Sequence, residues 1–282
     1  MAFDRLRPLP PMLHPGADAY GQQVLRASRL AARSLRFHGD LAYGDDIAQR
    51  LDVYAPHSAD GPLPVLLSLH GGAWMNGFKE WMGFQAPALA RLPAVLVAPD
   101  YRLAPQVGMA DMVDDVFAAL AWTYRHIARF GGDPQRIWVS GHSAGAHLAA
   151  LLALRSDLAG VHGVPPDAVR GAALISAPLD LGHLQSPATP ADRKLAEALG
   201  EDAAQWSPLR MLERACVPFC LDWGEHDFPR IARQNPEFAE RLAALGVPVS
   251  TRIWAAQDHF SVHVACGQPG SAWVGQLKDH FV

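Results

Sequence analysis

Short apolar runs of strand length alternate with helical patterns along most of the chain beyond residue 45. The runs lie at residues 48–54, 65–70, 94–99, 137–140, 172–176, 219–223 and 250–254. Strands that alternate with helices are typical of a mostly parallel sheet whose two faces are covered by helices. The pattern therefore predicts an α/β fold.

Two segments carry the clearest helical patterns. In residues 110–130, apolar side chains recur every three or four positions and form one stripe, at Val113, Val116, Phe117, Leu120, Tyr124 and Ile127. Gly131 and Pro134 follow this stripe and predict the end of the helix. Residues 144–154 are apolar on nearly every face, which predicts a helix buried on all sides. Shorter helices are expected at residues 237–245 and 271–281.

The distribution of these elements predicts one main domain. The chain has 282 residues, a length that α/β folds often reach as a single domain. We expect this domain to span residues 46–282. Residues 1–45, rich in Pro, Gly, Arg and Ala, are expected to form an N-terminal arm with one helix at 20–36. The segment 181–207 is expected to be an insertion and is a candidate for a small cap over a site.

Charge and composition exclude several classes of function. The chain has 24 basic and 28 acidic side chains and no basic stripe with interleaved aromatic residues, so nucleic acid is not an expected partner. No apolar run approaches the length of a membrane span, and the N-terminus lacks the apolar region of a secretory signal. The cysteines Cys216, Cys220 and Cys266 are too few for a disulfide framework and favour a reducing compartment, the cytoplasm.

The strongest chemical signal is the sequence Gly-His-Ser-Ala-Gly at residues 141–145. It follows the apolar run 137–140 and opens the buried helix, which is the strand–turn–helix context of a nucleophile elbow. In such an elbow the serine lies on a sharp turn, and glycines leave room for the strand and the helix to pack closely. Ser143 is therefore the candidate nucleophile.

A serine hydroxyl needs a base that takes its proton and an acid that orients the base. Asp227 and His259 each lie just past a predicted strand, on loops at the carboxyl edge of the sheet. The chain order serine, acid, histidine is that of hydrolases with this elbow. We therefore assign Asp227 as the acid and His259 as the base.

Neighbouring side chains leave alternatives open for both roles. Glu225 is an alternative acid, whereas Asp222 lies inside a strand run and Asp258 adjoins the assigned base. The alternative bases are His226 and His263.

A loop with two adjacent glycines, His-Gly-Gly-Ala-Trp at residues 70–74, follows another strand run. Acyl transfer builds negative charge on a carbonyl oxygen, and backbone N–H groups aimed at that oxygen stabilise it. In hydrolases with this elbow, the donors come from such a loop and from the residue after the nucleophile. The expected oxyanion hole consists of N–H groups from Gly71, Gly72 or Ala73 and from Ala144.

Motifs for metals and nucleotides are absent from the sequence. It contains no H-E-x-x-H, no G-x-x-x-x-G-K-[ST] and no G-x-G-x-x-G. We therefore expect neither a metal nor a cofactor.

Three motifs together carry a family resemblance. The elbow followed by Ala146-His147-Leu148, the His-Gly-Gly-x-Trp loop and the run Asp-Tyr-Arg-Leu-Ala-Pro at 100–105 resemble α/β-hydrolase esterases of the hormone-sensitive-lipase type. Residues 50–56, 141–148 and 258–261 are most similar to the kynurenine formamidase (arylformamidase) branch. The resemblance covers roughly residues 45–280.

The resemblance implies an α/β-hydrolase fold, with Ser143, Asp227 and His259 as the catalytic triad. It also implies that His70 positions the oxyanion loop. Asp100 and Arg102 are expected to form a buried or half-buried pair of the scaffold.

An aromatic segment follows the oxyanion loop. Trp74, Phe78 and Trp81 recur near helical spacing, which suits core packing as well as an aromatic wall for a flat substrate. We expect these three residues and His142 to bind the substrate. Trp206 and residues 181–184 are candidates for the opposite wall.

These features predict a serine hydrolase that cleaves small ester or (form)amide bonds of a small-molecule substrate. A carboxylesterase for short-acyl or aromatic esters, a dedicated kynurenine formamidase and a non-catalytic binding protein with the same fold all stay open. The last of these normally has a broken triad, whereas all three members are present here. The oligomeric state also stays open, a homodimer included.

Overall fold

The computed structural model describes Phe3, Leu6 and residues 8–281 of the chain. Its strands are β1 (Arg36–Ala42), β2 (Arg50–Ala55), β3 (Leu63–Leu69), β4 (Val95–Pro99), β5 (Gly132–His142), β6 (Val169–Ile175), β7 (Phe219–His226) and β8 (Val249–Asp258). They form one eight-stranded sheet in the order β1-β2-β4-β3-β5-β6-β7-β8. Strand β2 runs antiparallel to both of its neighbours, and all other neighbouring strands are parallel. The predicted α/β class with a mostly parallel sheet is confirmed.

Every apolar run that the sequence marked as a strand is part of this sheet, whereas strand β1 was not predicted. Its residues alternate between exposed and half-buried positions at the edge of the sheet, so it has no continuous apolar run. The strand lies inside the segment 1–45 that we expected to be an arm. Residues 1, 2, 4, 5 and 7 of that segment lie outside the described residues.

Helices connect most of the parallel strands. They are α1 (Ala17–Ser34), α2 (Ala86–Ala90), α3 (Met109–His126), α4 (Ala144–Leu154), α5 (Ser156–Val161), α6 (Pro190–Leu199), α7 (Pro229–Ala244), α8 (Ser261–Cys266) and α9 (Ala272–Phe281). All residues of α4 are buried, as its uniform apolar pattern predicted. Helix α3 ends at His126, four residues before the predicted end at 130, because a 3-10 turn at Ile127–Phe130 continues it.

The two faces of the sheet bury two separate cores, since successive side chains of a strand point to opposite faces. In β3, Val65 and Leu67 pack in a core with residues of α3, α4 and α7. Between them, Leu66 packs in the other core with residues of α1, α2, α8 and α9. Helices therefore cover both faces.

The loops that follow β3, β5, β7 and β8 all leave the carboxyl edge of the sheet, because these strands are parallel. The loop after β3 contains residues 70–74, and the loops after β5, β7 and β8 contain Ser143, Asp227 and His259, respectively. Among the described residues, no helix combines the length and the apolar character that crossing a membrane requires.

Candidate active site

Ser143 lies on a strained turn between β5 and α4. Its backbone has φ 54° and ψ −122°, a conformation that non-glycine residues rarely adopt and that is common at functional sites. The neighbouring strand approaches closely, since a Cβ atom at Gly145 would lie 2.1 Å from the Leu69 carbonyl oxygen. The glycine at position 145 therefore allows α4 to start directly against the sheet.

Three side chains from separate loops form one hydrogen-bonded series. Nδ1 of His259 lies 2.7 Å from Oδ1 of Asp227, and Nε2 lies 3.0 Å from Oγ of Ser143. A carboxylate only accepts hydrogen bonds, so Nδ1–H of His259 donates to Asp227. The lone pair of Nε2 then accepts from the hydroxyl of Ser143. This arrangement can remove a proton from the serine when its oxygen attacks an electrophile.

The carboxylate of Asp227 is held by several donors in addition to His259. The hydroxyl of Ser176 donates to Oδ2 at 2.5 Å, and the N–H of Phe228 donates to Oδ1 at 2.8 Å. Burial by itself would raise the pKa of Asp227, but these hydrogen bonds and the one from His259 outweigh it and lower that pKa below its usual range. Asp227 therefore stays ionised beside the imidazole.

The alternative acids and bases lie elsewhere or have other partners. Glu225 is exposed and accepts from the N–H of Ala256, and Asp258 accepts from the N–H groups of Phe260 and Ser261. Burial raises the pKa of Asp222 to about 6, and its carboxylate accepts a hydrogen bond from Trp254. His226 is exposed, and His263 is bound to Tyr20.

The 70–74 loop turns sharply beside Ser143, the candidate nucleophile. Gly72, Ala73 and Trp74 have φ values of 128°, 54° and 58°. Gly72 and Ala73 line the same pocket as Ser143. Gly71 packs against the elbow, since a Cβ atom there would lie 2.8 Å from the carbonyl oxygen of His142. Ala144, the fourth residue of the expected oxyanion hole, is the first residue of the buried helix α4.

His70 anchors the start of this loop. Its buried ring stacks on Tyr101 at 4.3 Å with an angle of 8° between the ring planes, and Nδ1 donates to the carbonyl of Gly71 at 2.8 Å. The hydroxyl of Tyr101 donates to the carbonyl oxygen of His70 at 2.8 Å.

The prediction that Asp100 and Arg102 form a scaffold pair is wrong, because Arg102 instead pairs with Asp115. The buried carboxylate of Asp115 accepts hydrogen bonds from the backbone N–H, Nε and Nη2 of Arg102.

A small pocket of about 110 Å³ opens at Ser143 and is mostly apolar. Of the residues expected to bind the substrate, Trp74, Trp81 and His142 line it. Phe78 lies outside the lining and packs in a satellite core with Trp81. Trp206 also lies outside the lining, and its carbonyl accepts a hydrogen bond from His147.

Sequence reasoning missed several residues that line the pocket. Those from the N-terminal segment are Met12, Leu13, His14, Ala17 and Tyr20, and Leu195 comes from α6. Leu181 and His183 belong instead to the segment 181–184 that was a candidate for the opposite wall, and both line the pocket. Further lining residues follow the acid and the base in the chain: Phe228, Arg230, Ile231 and Phe260. Their positions depend on long-range packing, and no motif marks them.

His142 contacts His259, the candidate base. Its Nε2–H donates to the carbonyl oxygen of His259 at 2.7 Å, and its ring stacks on His263 at 4.4 Å. Burial lowers the pKa of His142 to about 3, so the ring is neutral. His263 in turn contacts the hydroxyl of Tyr20 at 2.7 Å and the amide of Gln85 at 3.1 Å. Through His142 and His263, these contacts connect His259 to α1 and to Gln85, the residue before α2.

Comparison with known proteins places this chain in a family. The sequence model of the BD-FAE family matches residues 51–242. A kynurenine formamidase from Danio rerio is 32% identical over 228 residues, which cover 79% of this chain and 74% of that protein. The chain belongs to the BD-FAE family. Another relative, named as a probable isoprenylcysteine alpha-carbonyl methylesterase from Arabidopsis thaliana, is 30% identical over 238 residues. These residues cover 78% of the BD-FAE chain but only half of the methylesterase.

Solved structures share the fold of this BD-FAE chain. EstE1, a thermophilic carboxylesterase from a metagenomic library, has a TM-score of 0.72 at 24% identity and covers 94% of this chain and 97% of its own. Esterase B from Lactobacillus rhamnosis has a TM-score of 0.73 at 21% identity, with 93% and 90% covered. At such identities the likeness concerns the fold, and it confirms the α/β-hydrolase fold.

Proposed function

We propose that this chain is a serine hydrolase that cleaves small ester or formamide bonds through Ser143, His259 and Asp227. The observation that carries the proposal is the unbroken hydrogen-bonded series, with 3.0 Å between Oγ of Ser143 and Nε2 of His259 and 2.7 Å between Nδ1 of His259 and Asp227. The strained backbone of Ser143 and its place before a buried helix support the same role.

The proposed reaction begins when Oγ of Ser143 attacks the substrate carbonyl carbon and its proton passes to Nε2 of His259. The bond to the leaving alcohol or amine then breaks, and His259 returns the proton to that group. A water molecule, deprotonated by His259, attacks the acyl-enzyme and releases the acid and the free serine. Asp227 remains ionised throughout and stabilises the imidazolium.

The oxyanion would bind between the N–H of Ala144 and N–H groups of Gly72 or Ala73. The left-handed backbone of the 70–74 loop supports this role, because it turns the loop toward Ser143. The first turn of α4 adds the positive end of a helix dipole at the same position. Gly71 would contribute by close packing against the elbow.

The small pocket favours a short acyl group. Its volume of about 110 Å³ favours a small substrate over one with a long acyl chain. In this proposal an acetyl or formyl group lies beside Ser143, next to the apolar aromatic side chains of Trp74 and Trp81. We propose that the N-terminal residues 12–20 and the segment 181–207 together cover this pocket, since both contribute to its lining.

Names of relatives support both ester and formamide bonds. One relative is named a methylesterase and another a kynurenine formamidase. Turnover of short p-nitrophenyl esters and of N-formyl aromatic amines by the purified chain separates the two classes. A kcat/KM ratio above about 10³ identifies the preferred bond, because differential transition-state binding sets this ratio. Absence of hydrolysis of both classes by the folded chain would contradict the proposal and favour a binding protein.

The thiols support a reducing compartment, for which the cytoplasm is our proposal. Cys216, Cys220 and Cys266 are all free, and two of them are buried. Burial raises the pKa of Cys220 to about 11, so this thiol stays protonated and unreactive.

A further inference from the structure

Arg230 stands out in the lining of the active-site pocket. Among the described residues that form this lining, it is the one side chain with a permanent charge, and neither Asp nor Glu accompanies it. It is the second residue of α7, whose N-terminal end adds partial positive charge at the same wall. A cation in a small, mostly apolar cavity is the kind of polar group that orients a ligand.

The guanidinium is held in place but keeps donors for a ligand. Its Nη2 donates to Oδ1 of Asp192 at 3.1 Å, and this carboxylate is buried behind the pocket wall. Oδ2 of Asp192 accepts from the N–H of Thr189 at the start of α6, so the carboxylate is fixed by the local backbone. An arginine has five N–H donors in a rigid fork. No contact among the described residues uses Nε or Nη1, and the side chain is 34% exposed.

The two histidines near Arg230 are neutral, so Arg230 supplies the charge at this wall of the pocket. Burial, together with the nearby guanidinium, lowers the pKa of both His14 and His183 below the usual value, so both rings are neutral at pH 7. Asp192 opposes this effect in both cases but does not line the pocket. The lining therefore presents positive charge toward a bound molecule.

Arg230 lines the same small pocket as Ser143 and His259. Arg230 is three residues beyond Asp227, so their Cα atoms are separated by at most about 11 Å. Two ring contacts connect the same regions: His14 packs on Phe228 at 4.6 Å, and Phe228 stacks on His259 at 4.2 Å. Ser143 and Arg230 line one pocket, so a single small molecule can contact both.

We propose that Arg230 binds a carboxylate of the substrate, so that the preferred substrates are small esters or formamides with a carboxylate roughly one aromatic ring away from the scissile carbonyl. This inference rests on the proposed hydrolytic function of the same pocket. A planar carboxylate matches the free edge of the guanidinium and can accept two parallel hydrogen bonds. Arg230 is then a specificity-determining residue and takes no part in the proton transfers.

The test compares two substrates that differ only in charge, 3-(4-acetoxyphenyl)propanoate and 3-(4-acetoxyphenyl)propanamide. The unaltered chain should show a kcat/KM for the propanoate roughly tenfold to hundredfold above that for the propanamide, the range that hydrogen bonds to a charged group provide. Arg230→Gln should bring this ratio close to one, and Arg230→Lys should restore part of it. Arg233→Gln removes a charge from an exposed position of the same helix and should leave the ratio unchanged.

The ratio separates specificity from damage to the fold, because a structural defect lowers both rates together. A ratio near one in the unaltered chain, or a preference that persists in Arg230→Gln, would overturn the proposal. Calorimetric binding of 3-phenylpropanoate and 3-phenylpropanamide requires no turnover. Selective binding of the propanoate that depends on Arg230, without hydrolysis of either ester, would therefore support the carboxylate site and contradict the hydrolytic function.

Discussion

The hydroxyl of Ser176 donates to Oδ2 of Asp227 at 2.5 Å, so a second buried side chain besides His259 fixes this carboxylate. Ser176 follows the last residue of β6 and has a positive φ of 53°. Its own N–H donates to the carbonyl of Asp222 in the adjacent strand β7. The acid of the proposed triad is thus oriented from β6 as well as from its own loop.

Replacement of Ser176 by Ala should lower kcat/KM about tenfold, the lower end expected for a hydrogen bond to a charged group. Loss of this donor raises the pKa of Asp227, so the acid limb of the pH profile of kcat/KM should move to higher pH. Ser140→Ala is the matched control, because Ser140 is also buried but donates to the carbonyl of Ala173. An unshifted acid limb in Ser176→Ala would refute the positioning role.

Asp227→Asn should reduce kcat by about 10⁴, because an amide cannot hold the histidine in the required tautomer. Glu225→Gln should leave kcat nearly unchanged, since Glu225 is exposed and bound to the backbone of Ala256. Steady-state kinetics with one ester substrate measures both variants. The opposite ranking of the two variants would show that the acid is Glu225.

Gly72→Ala should lower kcat by roughly 10²–10³, the usual loss when an oxyanion donor is removed. At φ 128° an added Cβ atom would lie 2.1 Å from the carbonyl oxygen of Asn76, so the 70–74 loop must shift. Gly131→Ala is the control, because Gly131 also has a positive φ of 90° but has no atom within 4 Å of an added Cβ. Equal losses of kcat in the two variants, both folded, would argue against a role of this loop in catalysis.

Stability should fall as the pH drops below about 6.5, in part because His147 is buried as a neutral ring. Burial lowers its pKa from 6.5 to about 4. Between these values the unfolded chain binds a proton that the folded chain does not, so this residue's share of the stability is complete above pH 6.5 and is lost as the pH falls. One such proton changes the free energy of unfolding by about 1.4 kcal/mol per pH unit.

Urea unfolding between pH 6 and pH 4.5 measures this slope. His147→Gln should make the slope shallower by up to that amount, whereas His57→Gln, at an exposed position, should not change it. An identical slope in His147→Gln and in the unaltered chain would contradict the neutral buried state of this ring.

The fold and the three residues of the proposed triad were accessible from the sequence because local patterns encode them. Each apolar run that alternates with helices overlaps one observed strand, and the 141–145 motif itself specifies a strand, a turn and a helix. Asp227 and His259 could be assigned because each follows a strand in the order typical of this elbow. Strand β1 escaped prediction because an edge strand with half-exposed residues has no apolar run.

Residues whose positions depend on distant parts of the chain could not be predicted. Tyr20 contacts His263 from a helix that lies 243 positions away in the chain, and Ser176 reaches Asp227 across 51 positions. Phe78 was expected at the substrate because its aromatic segment follows the oxyanion loop, but it packs in a satellite core with Trp81 and does not line the pocket. Spacing alone does not distinguish a pocket wall from the core behind it.

The most direct test of the central claim is covalent labelling of the unaltered chain with an alkyl fluorophosphonate, followed by mass spectrometry of the intact protein and its peptides. One label per chain on Ser143, with parallel loss of esterase activity, is the predicted result, because a serine with an adjacent base is the group that attacks phosphorus. His259→Gln should be labelled far more slowly, and Ser143→Ala should be folded, unlabelled and inactive. Label on another residue, or full turnover by Ser143→Ala, would contradict the account.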